Sequence, residues 1–177
     1  MTTFGPGKPG DRAGARHEGP AETRGPFTIV HVLQPRFRDT DAMGHVNNAV
    51  YVTYLEVARQ EYWTRFTGTR DYGRVPFILA HVTIDFRSEA LVQETLLLGI
   101  RCGGIGTKSF SFEYEIREKA GLRLVVEASS VQVCYDYDLK RSLPVPDDLR
   151  RSLETFEGRS LTRDARGGSA PGVRSKE

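Results

Sequence analysis

The residues best suited to chemistry are concentrated in one polar segment, 36–48, which carries two carboxylates, Asp39 and Asp41, and one imidazole, His45. A carboxylate with an ordinary pKa is ionised at neutral pH and can act as a general base or as a nucleophile. Histidine is the commonest acid or base in catalysis, so His45 is either a second polar group of the same site or a side chain at a helix entry. Asp39 is interpreted as a structural residue.

The polar segment ends where a long helix is predicted to begin. Bulky residues recur at three- and four-residue steps from Asn48 to Phe66, and Gly68 follows as a stop signal. The first amides of a helix lack partners within it and the helix dipole adds partial positive charge, so a carbonyl oxygen gaining negative charge can be held there. The alternative is that the aspartates only make a turn and that Asn47 or Asn48 only caps the helix.

The other elements predicted from residue periodicity are mostly strands. An alternating strand over 27–37 precedes the polar segment, and four sets of apolar residues with period two follow the helix. In the last set the apolar parity changes from even to odd, which predicts a bulge near Ser129 and Ser130. Pro144 and Pro146 introduce a short second helix. This order predicts an α+β domain in which a long central helix is wrapped by a curved, mostly antiparallel five-stranded sheet.

Composition predicts one domain between two tails. Residues 1–26 and 158–177 are rich in Gly and Pro and poor in large apolar side chains, so we expect disordered tails around a domain at 27–157. The formal net charge is +2 over 177 residues and the domain itself is nearly neutral, which gives no support to nucleic acid as a partner. No apolar run approaches the ~20 residues that a membrane span requires.

Several kinds of site are excluded by spacing. Four scattered His and two Cys lack metal-ligand spacing, so no metal is expected. The glycines of 103–106 join two predicted antiparallel strands and open no helix, which excludes a dinucleotide-binding loop, and we expect no cofactor. The first 26 residues lack the apolar core of a signal peptide, so we expect a cytoplasmic protein. One helix cannot cover five strands, which favours a homodimer, with a homotetramer as the further option.

The run over 39–59, DTDAMGHVNNAVYVTYLEVAR, resembles the signature of the hotdog-fold acyl-CoA thioesterases, in particular the 4-hydroxybenzoyl-CoA thioesterase-like group. The resemblance extends over the element order of residues 27–156. It implies the hotdog fold and hydrolysis of an acyl-CoA to the free acid and CoA. It also implies that Asp41 is the catalytic carboxylate and that the backbone amides around Gly44 to Asn48, chiefly that of Asn48, polarise the thioester carbonyl.

The resemblance also bears on substrate binding. It implies that Lys108 helps hold coenzyme A. Tyr51, one turn into the helix, either packs between the helix and the sheet or lines the acyl pocket. Gly106 and Thr107 replace the adjacent arginines that some members have before this lysine, so the nucleotide end of coenzyme A would be held differently or weakly. In similar acyl-carrier-protein thioesterases an Asn lies between the Asp and the His, where this chain has Met43. The sequence therefore leaves both coenzyme A and acyl carrier protein as possible carriers of the acyl group.

Two other interpretations are kept. Hotdog hydratases add water to an enoyl thioester and resemble Asp-x-Asn-Pro-x-His, with the His five residues after the Asp. Here His45 comes four residues after Asp41 and no Pro intervenes. A module that binds acyl thioesters without turnover is the non-enzymatic alternative.

Overall fold

The computed structural model describes residues 26–71 and 75–162. In chain order the elements are β1 (Ile29–Leu33), a 3-10 helix (Phe37–Asp39), α1 (Val50–Thr67), β2 (Phe77–Phe86), β3 (Leu96–Ile105), β4 (Ser109–Glu118), β5 (Leu124–Asp136), β6 (Arg141–Ser142) and α2 (Asp147–Glu157). The strands form an antiparallel sheet with the order β1-β3-β4-β5-β2, and β6 pairs with β5. None of the described helices combines the length and the apolar character that a membrane span needs.

Helix α1 packs one face against the sheet. Its buried residues follow the three- and four-residue spacing that predicted the helix, and Gly68 ends it with φ +74°. The helix begins at Val50 rather than at Asn48, because its N-cap is Ala49. Asn47, one of the two predicted caps, lies two residues before this N-cap, and its Oδ1 accepts the Ala49 N–H at 2.9 Å. The buried residues are Tyr51, Tyr54, Leu55, Ala58, Tyr62 and Trp63.

The sheet confirms the predicted α+β architecture, with the five expected strands and one short strand, β6, that the pattern did not reveal. The bulge predicted in the last long strand near Ser129 and Ser130 is wrong, because β5 pairs with β4 without a register shift over 126–133. An irregularity lies close by, but the extra residue is in β2, between Leu79 and His81, opposite residues 131–132 of β5. Ser130 and Gln132 lie on the buried face, fully enclosed. There the Ser130 Oγ lies 2.6 Å from the Tyr114 hydroxyl and accepts the Gln132 Nε2 at 2.8 Å. Because Ser130 and Gln132 are hydrogen-bonded, these polar residues can occupy the buried face. Hydrophobicity alone therefore does not show which alternate residues of β5 are buried.

The folded region extends past the predicted boundary at residue 157. Leu161 is 2% exposed, and its N–H donates to the Glu154 carboxylate at 2.9 Å. Its carbonyl accepts the Ile105 N–H at 2.7 Å, so residues 158–162 join the end of β3 rather than the tail. The rest of the predicted tails, 1–25 and 163–177, lies outside the described residues.

Candidate active site

The segment between β1 and α1 folds back on itself as a tight turn. Thr40 and Val46 form an antiparallel bridge, and the Asp41 N–H donates to the His45 carbonyl at 2.8 Å. Gly44 has φ +83°, a left-handed conformation that costs other residues roughly 1–2 kcal/mol. Its N–H donates to the Asp41 carbonyl at 3.2 Å. Gly44 therefore shapes the turn, and its amide is not available to a substrate.

The Asp41 carboxylate is held by one of its two oxygens. Its Oδ1 accepts the Met43 N–H at 2.8 Å and the His45 N–H at 3.1 Å. Within the described residues Oδ2 has no hydrogen-bond partner. The side chain is half-buried. Two backbone donors thus fix the orientation of the carboxylate and leave one oxygen free to take a proton or to attack.

The Asn48 amide is the donor left over at the start of α1. Within the part of the chain that the structure describes, the Asn48 N–H has no hydrogen-bond partner. Of the expected amides from Gly44 to Asn48, only that of Asn48 is therefore free among the described residues. Such a lone, fixed donor beside a helix N-terminus is suited to an oxyanion. Its neighbours all donate elsewhere: Val46 N–H to Ala90 O (2.8 Å), Asn47 N–H to Asp39 O (2.9 Å), Ala49 N–H to Asn47 Oδ1 (2.9 Å) and Val50 N–H to Asn47 O (2.9 Å).

A cavity of about 480 Å³ brings four predicted site residues together: Asp41, His45, Asn48 and Tyr51 all line it. The residues that carry the free carboxylate oxygen and the free amide therefore line one space. The His45 imidazole has no hydrogen-bond partner among the described residues, so it too is open to a ligand. The remaining lining residues are Met43, Val46, Asn47, Phe86, Arg87, Ser88 and Glu89.

Tyr51 forms an inner wall of the cavity. It is 2% exposed, and its ring packs edge-on against Phe86 and Tyr54 at centroid distances of 5.5 and 5.8 Å. Burial, with smaller contributions from the charges of Glu94 and Glu89, raises the pKa of Tyr51 to about 12. The residue therefore presents an apolar ring and a hydroxyl that stays protonated at neutral pH.

The opposite wall comes from the segment after β2, which sequence analysis did not connect with the site. Ser88 and Glu89 line the cavity, and Arg123 ties them to the sheet. Arg123 donates to the Ser88 hydroxyl at 2.7 Å, to the Glu89 carbonyl, and to the Glu94 carboxylate at 2.6 Å. No local motif marks these residues, because β2 reaches α1 only through the folding of the sheet.

Lys108 lies away from the cavity of its own chain. Its carbonyl accepts the Cys134 N–H, whereas Phe86, which lines the cavity, pairs with Val126. Positions 126 and 134 of β5 are eight residues apart, or about 26 Å. The Lys108 Nζ is exposed and lies 3.5 Å from the Ser142 hydroxyl. Lys108 is therefore at the far end of the sheet from Asp41.

The family of this chain is fixed by the extent of one match. The family model described as "Thioesterase-like superfamily" matches residues 35–153, which include the turn, α1 and the strands β2 to β5. The chain belongs to the thioesterase-like superfamily. This membership identifies a thioester hydrolase and confirms the predicted family.

Individual relatives agree with that assignment. The chain is 25% identical to the long-chain acyl-CoA thioesterase FadM of Escherichia coli over 119 residues, which are 64% of this chain and 88% of FadM. A Thermus thermophilus thioesterase, solved in complex with coenzyme A and Zn, is 29% identical with a TM-score of 0.69 over 77% of this chain and 98% of its own. A 1,4-dihydroxy-2-naphthoyl-CoA thioesterase from Synechocystis is 20% identical with a TM-score of 0.63, over 70% and 93% of the two chains. The hotdog fold predicted from the sequence is confirmed.

Proposed function

We propose that this thioester hydrolase acts on acyl-CoA, with Asp41 as the catalytic carboxylate and the Asn48 amide as the carbonyl-polarising donor. The observation that carries the proposal is that one cavity is lined both by Asp41, which has a free carboxylate oxygen, and by Asn48, which has an unpaired backbone N–H. The acyl-CoA activity of FadM and the coenzyme A bound by the Thermus thioesterase support the choice of carrier.

The reaction needs few groups. The Asn48 N–H holds the thioester oxygen. The oxygen of a water molecule adds to the carbonyl carbon, and the Asp41 Oδ2 takes a proton from that water. The C–S bond then breaks, and the thiolate leaves with the bonding electron pair. A thiolate is a competent leaving group near neutral pH because an ordinary thiol has a pKa of about 8.5, so no strong acid is required.

His45 and Tyr51 have supporting roles in this proposal. The His45 imidazole, free and at the cavity wall, is placed to hydrogen-bond the entering water or the departing sulfur. Tyr51 supplies a rigid apolar wall for the acyl group. Gly44 contributes through its backbone conformation, which aims the Asp41 carboxylate.

Asp41 can instead attack the carbonyl directly and form a mixed anhydride that water then opens. A single turnover in oxygen-18 water identifies the nucleophilic route when water opens the anhydride at the Asp41 carboxyl carbon, because Asp41 then carries the label and the first acid released is unlabelled. With Asp41 as a general base, the label enters the acid and never Asp41. Opening of the anhydride at the acyl carbon also labels the acid, and trapping the anhydride with hydroxylamine distinguishes that case.

The test of the proposed function is release of free thiol from a panel of acyl-CoA and acyl-carrier-protein thioesters of increasing chain length. We expect wild type to hydrolyse acyl-CoA and Asp41→Asn to lose the activity, because an asparagine Oδ1 still accepts the two turn amides but cannot take a proton. Asp136→Asn is the matched control, since Asp136 also accepts two turn amides, at 2.9 and 2.8 Å. Full activity in Asp41→Asn would remove Asp41 from the mechanism.

We further propose a homodimer formed through β2. Among the described residues this edge strand pairs with β5 alone, and its Leu79 and Phe86 are 43% and 47% exposed. An antiparallel pair of β2 strands about a two-fold axis sets the Phe77 end of one beside the Phe86 end of the other. Lys108 lies at the Phe77 end, so Lys108 of the partner subunit would arrive at the cavity.

Mixed dimers test this arrangement. Asp41→Asn and Lys108→Ala subunits are each impaired, but a mixed dimer rebuilds one intact site, so we expect recovery to about a quarter of wild-type activity in an equimolar mixture. Native mass spectrometry verifies that mixed dimers form. Mixed dimers without recovery would assign Lys108 no role across the interface, and a monomer in solution would reject the dimer.

A further inference from the structure

Asp39, two residues before Asp41, is a buried carboxylate outside the cavity lining. It is only 4% exposed. Its oxygens accept the Arg36 N–H at 2.9 Å, the Arg36 Nε and Nη2 at 3.1 Å each, and the Tyr54 hydroxyl at 3.0 Å. A buried carboxylate is costly unless it is fully hydrogen-bonded. A turn-forming aspartate has no need of a tyrosine 15 residues away, so the turn interpretation does not account for this bond.

The Tyr54 hydrogen bond ties the site loop to the rigid part of the domain. Tyr54 belongs to the buried face of α1 and packs against Tyr51, the inner wall of the cavity. Asp39 is the last residue of the 3-10 helix, directly before the catalytic turn. The bond therefore sets how far the turn that carries Asp41 lies from α1.

Asp39 is also hydrogen-bonded to the segment that carries the Asn48 amide. The Asp39 carbonyl accepts the Asn47 N–H at 2.9 Å. Asn47 in turn accepts the Ala49 and Val50 N–H groups, through its side chain and its carbonyl, both at 2.9 Å. The residues on both sides of Asn48 are thereby fixed, and its amide is held in the position from which it donates.

We propose that Asp39 and Tyr54 are positioning residues, whose hydrogen bond fixes the separation between the Asp41 carboxylate and the Asn48 amide. This inference rests on the proposed function. Neither residue lines the cavity, so neither contacts the reacting atoms. Their effect is on geometry: an error of about 1 Å in the placement of reacting groups can lower a rate by roughly 100-fold.

The chain supplies a matched control on the same helix. The Tyr62 hydroxyl donates to the Glu157 carboxylate at 2.7 Å, also a tyrosine–carboxylate bond in the buried part of α1. It joins α1 to α2, away from the catalytic turn. Tyr54→Phe and Tyr62→Phe each remove one hydroxyl and keep the ring.

The experiment compares kcat, KM and Tm of the two variants with an acyl-CoA that wild type hydrolyses. We expect both to lose a similar amount of thermal stability, because each loses one buried hydrogen bond. Only Tyr54→Phe should lose kcat, by about 10-fold or more with little change in KM, since a displaced site binds substrate but misaligns the attack. Asp39→Asn, which can still accept from Tyr54, should retain more kcat than Asp39→Ala. Equal kcat in Tyr54→Phe, Tyr62→Phe and wild type would overturn the inference.

A second measurement does not depend on turnover. Amide hydrogen exchange of the segment 36–50 should become faster in Tyr54→Phe and stay unchanged in Tyr62→Phe. If wild type hydrolysed no thioester, the proposed function would be wrong, while a difference in exchange would still show that the Asp39–Tyr54 hydrogen bond holds the segment 36–50 in place. If exchange were the same in both variants, this positioning role would be wrong whatever the activity.

Discussion

Two turns in this protein are built alike and differ in what surrounds them. Asp41 accepts two backbone N–H groups through one oxygen in the turn before α1, and Asp136 does the same in the hairpin between β5 and β6. Each turn also contains a residue with positive φ, Gly44 at +83° and Lys140 at +51°. Locally the two aspartates are equivalent.

The difference lies in the neighbouring elements. The first turn is followed by the start of α1 with its unpaired Asn48 amide, and the loop after β2 closes a cavity over it. The second turn is an exposed hairpin, in which Leu139 is 60% exposed. A carboxylate oriented by two amides becomes a candidate catalytic group only when a second donor and an enclosed volume are placed opposite it.

The largest expected effect is a loss of kcat on substitution of Asp41, which distinguishes its catalytic role from its structural role in the turn. Asp41→Asn and Asp41→Ala should both lower kcat by about 100- to 10,000-fold, the range for removal of an acid or base group. Asp136→Ala should lower stability by about 1 kcal/mol and leave kcat unchanged, because only turn hydrogen bonds are lost. Thiol-release kinetics and urea unfolding measure the two effects. Comparable kcat losses at positions 41 and 136 would make the two turns functionally equivalent and defeat the comparison.

A smaller effect is expected from Gly44, the glycine of the turn that carries Asp41. Gly44→Ala places a side chain at φ +83° with open space around it, so its cost is conformational, about 1–2 kcal/mol. Gly68→Ala at the end of α1 has φ +74° and equally open surroundings, and should cost a similar amount. Only Gly44→Ala should also reduce kcat, since it tilts the Asp41 carboxylate. A kcat loss in Gly68→Ala as large as that in Gly44→Ala would show a general loss of stability instead.

The smallest effect concerns pH. Burial raises the pKa of Asp39, but the hydrogen bonds from Arg36 and Tyr54 outweigh it and hold the pKa below its ordinary value. A lowered folded-state pKa contributes stability above the unfolded value of about 3.9, and the contribution is lost as the pH falls through the folded value. The stability difference between wild type and Asp39→Asn should therefore be larger at pH 7 than at pH 3, as urea unfolding would measure. A difference that grew towards pH 3 would contradict the lowered pKa.

The elements predicted correctly are those that residue spacing along the chain indicates by itself. The helix over 50–67 was predicted to within two residues, because its buried side chains repeat at the spacing of a helix face. Sequence analysis failed in β5, where Ser130 and Gln132 are buried and hydrogen-bonded, so that hydrophobicity pointed to the wrong face. It missed Arg123 and the loop after β2, because their contact with the site depends on strand order rather than on spacing.

The sequence alone determined the element order and the polar segment before the helix, since residue spacing and turn chemistry act over a few neighbours. The resemblance carried by the same segment pointed to Asp41 and Asn48. Tertiary structure decided which amides of the turn are left unpaired: Ala90 accepts from the Val46 amide and Asp39 from that of Asn47. Among the described residues, the Asn48 amide is then the free one between positions 44 and 48. Tertiary structure also decided that Lys108 and Asp41 lie at opposite ends of the sheet, because the strands run about 26 Å between them. Hydrogen-bond partners across a fold depend on how distant segments pack, and no local pattern encodes that packing.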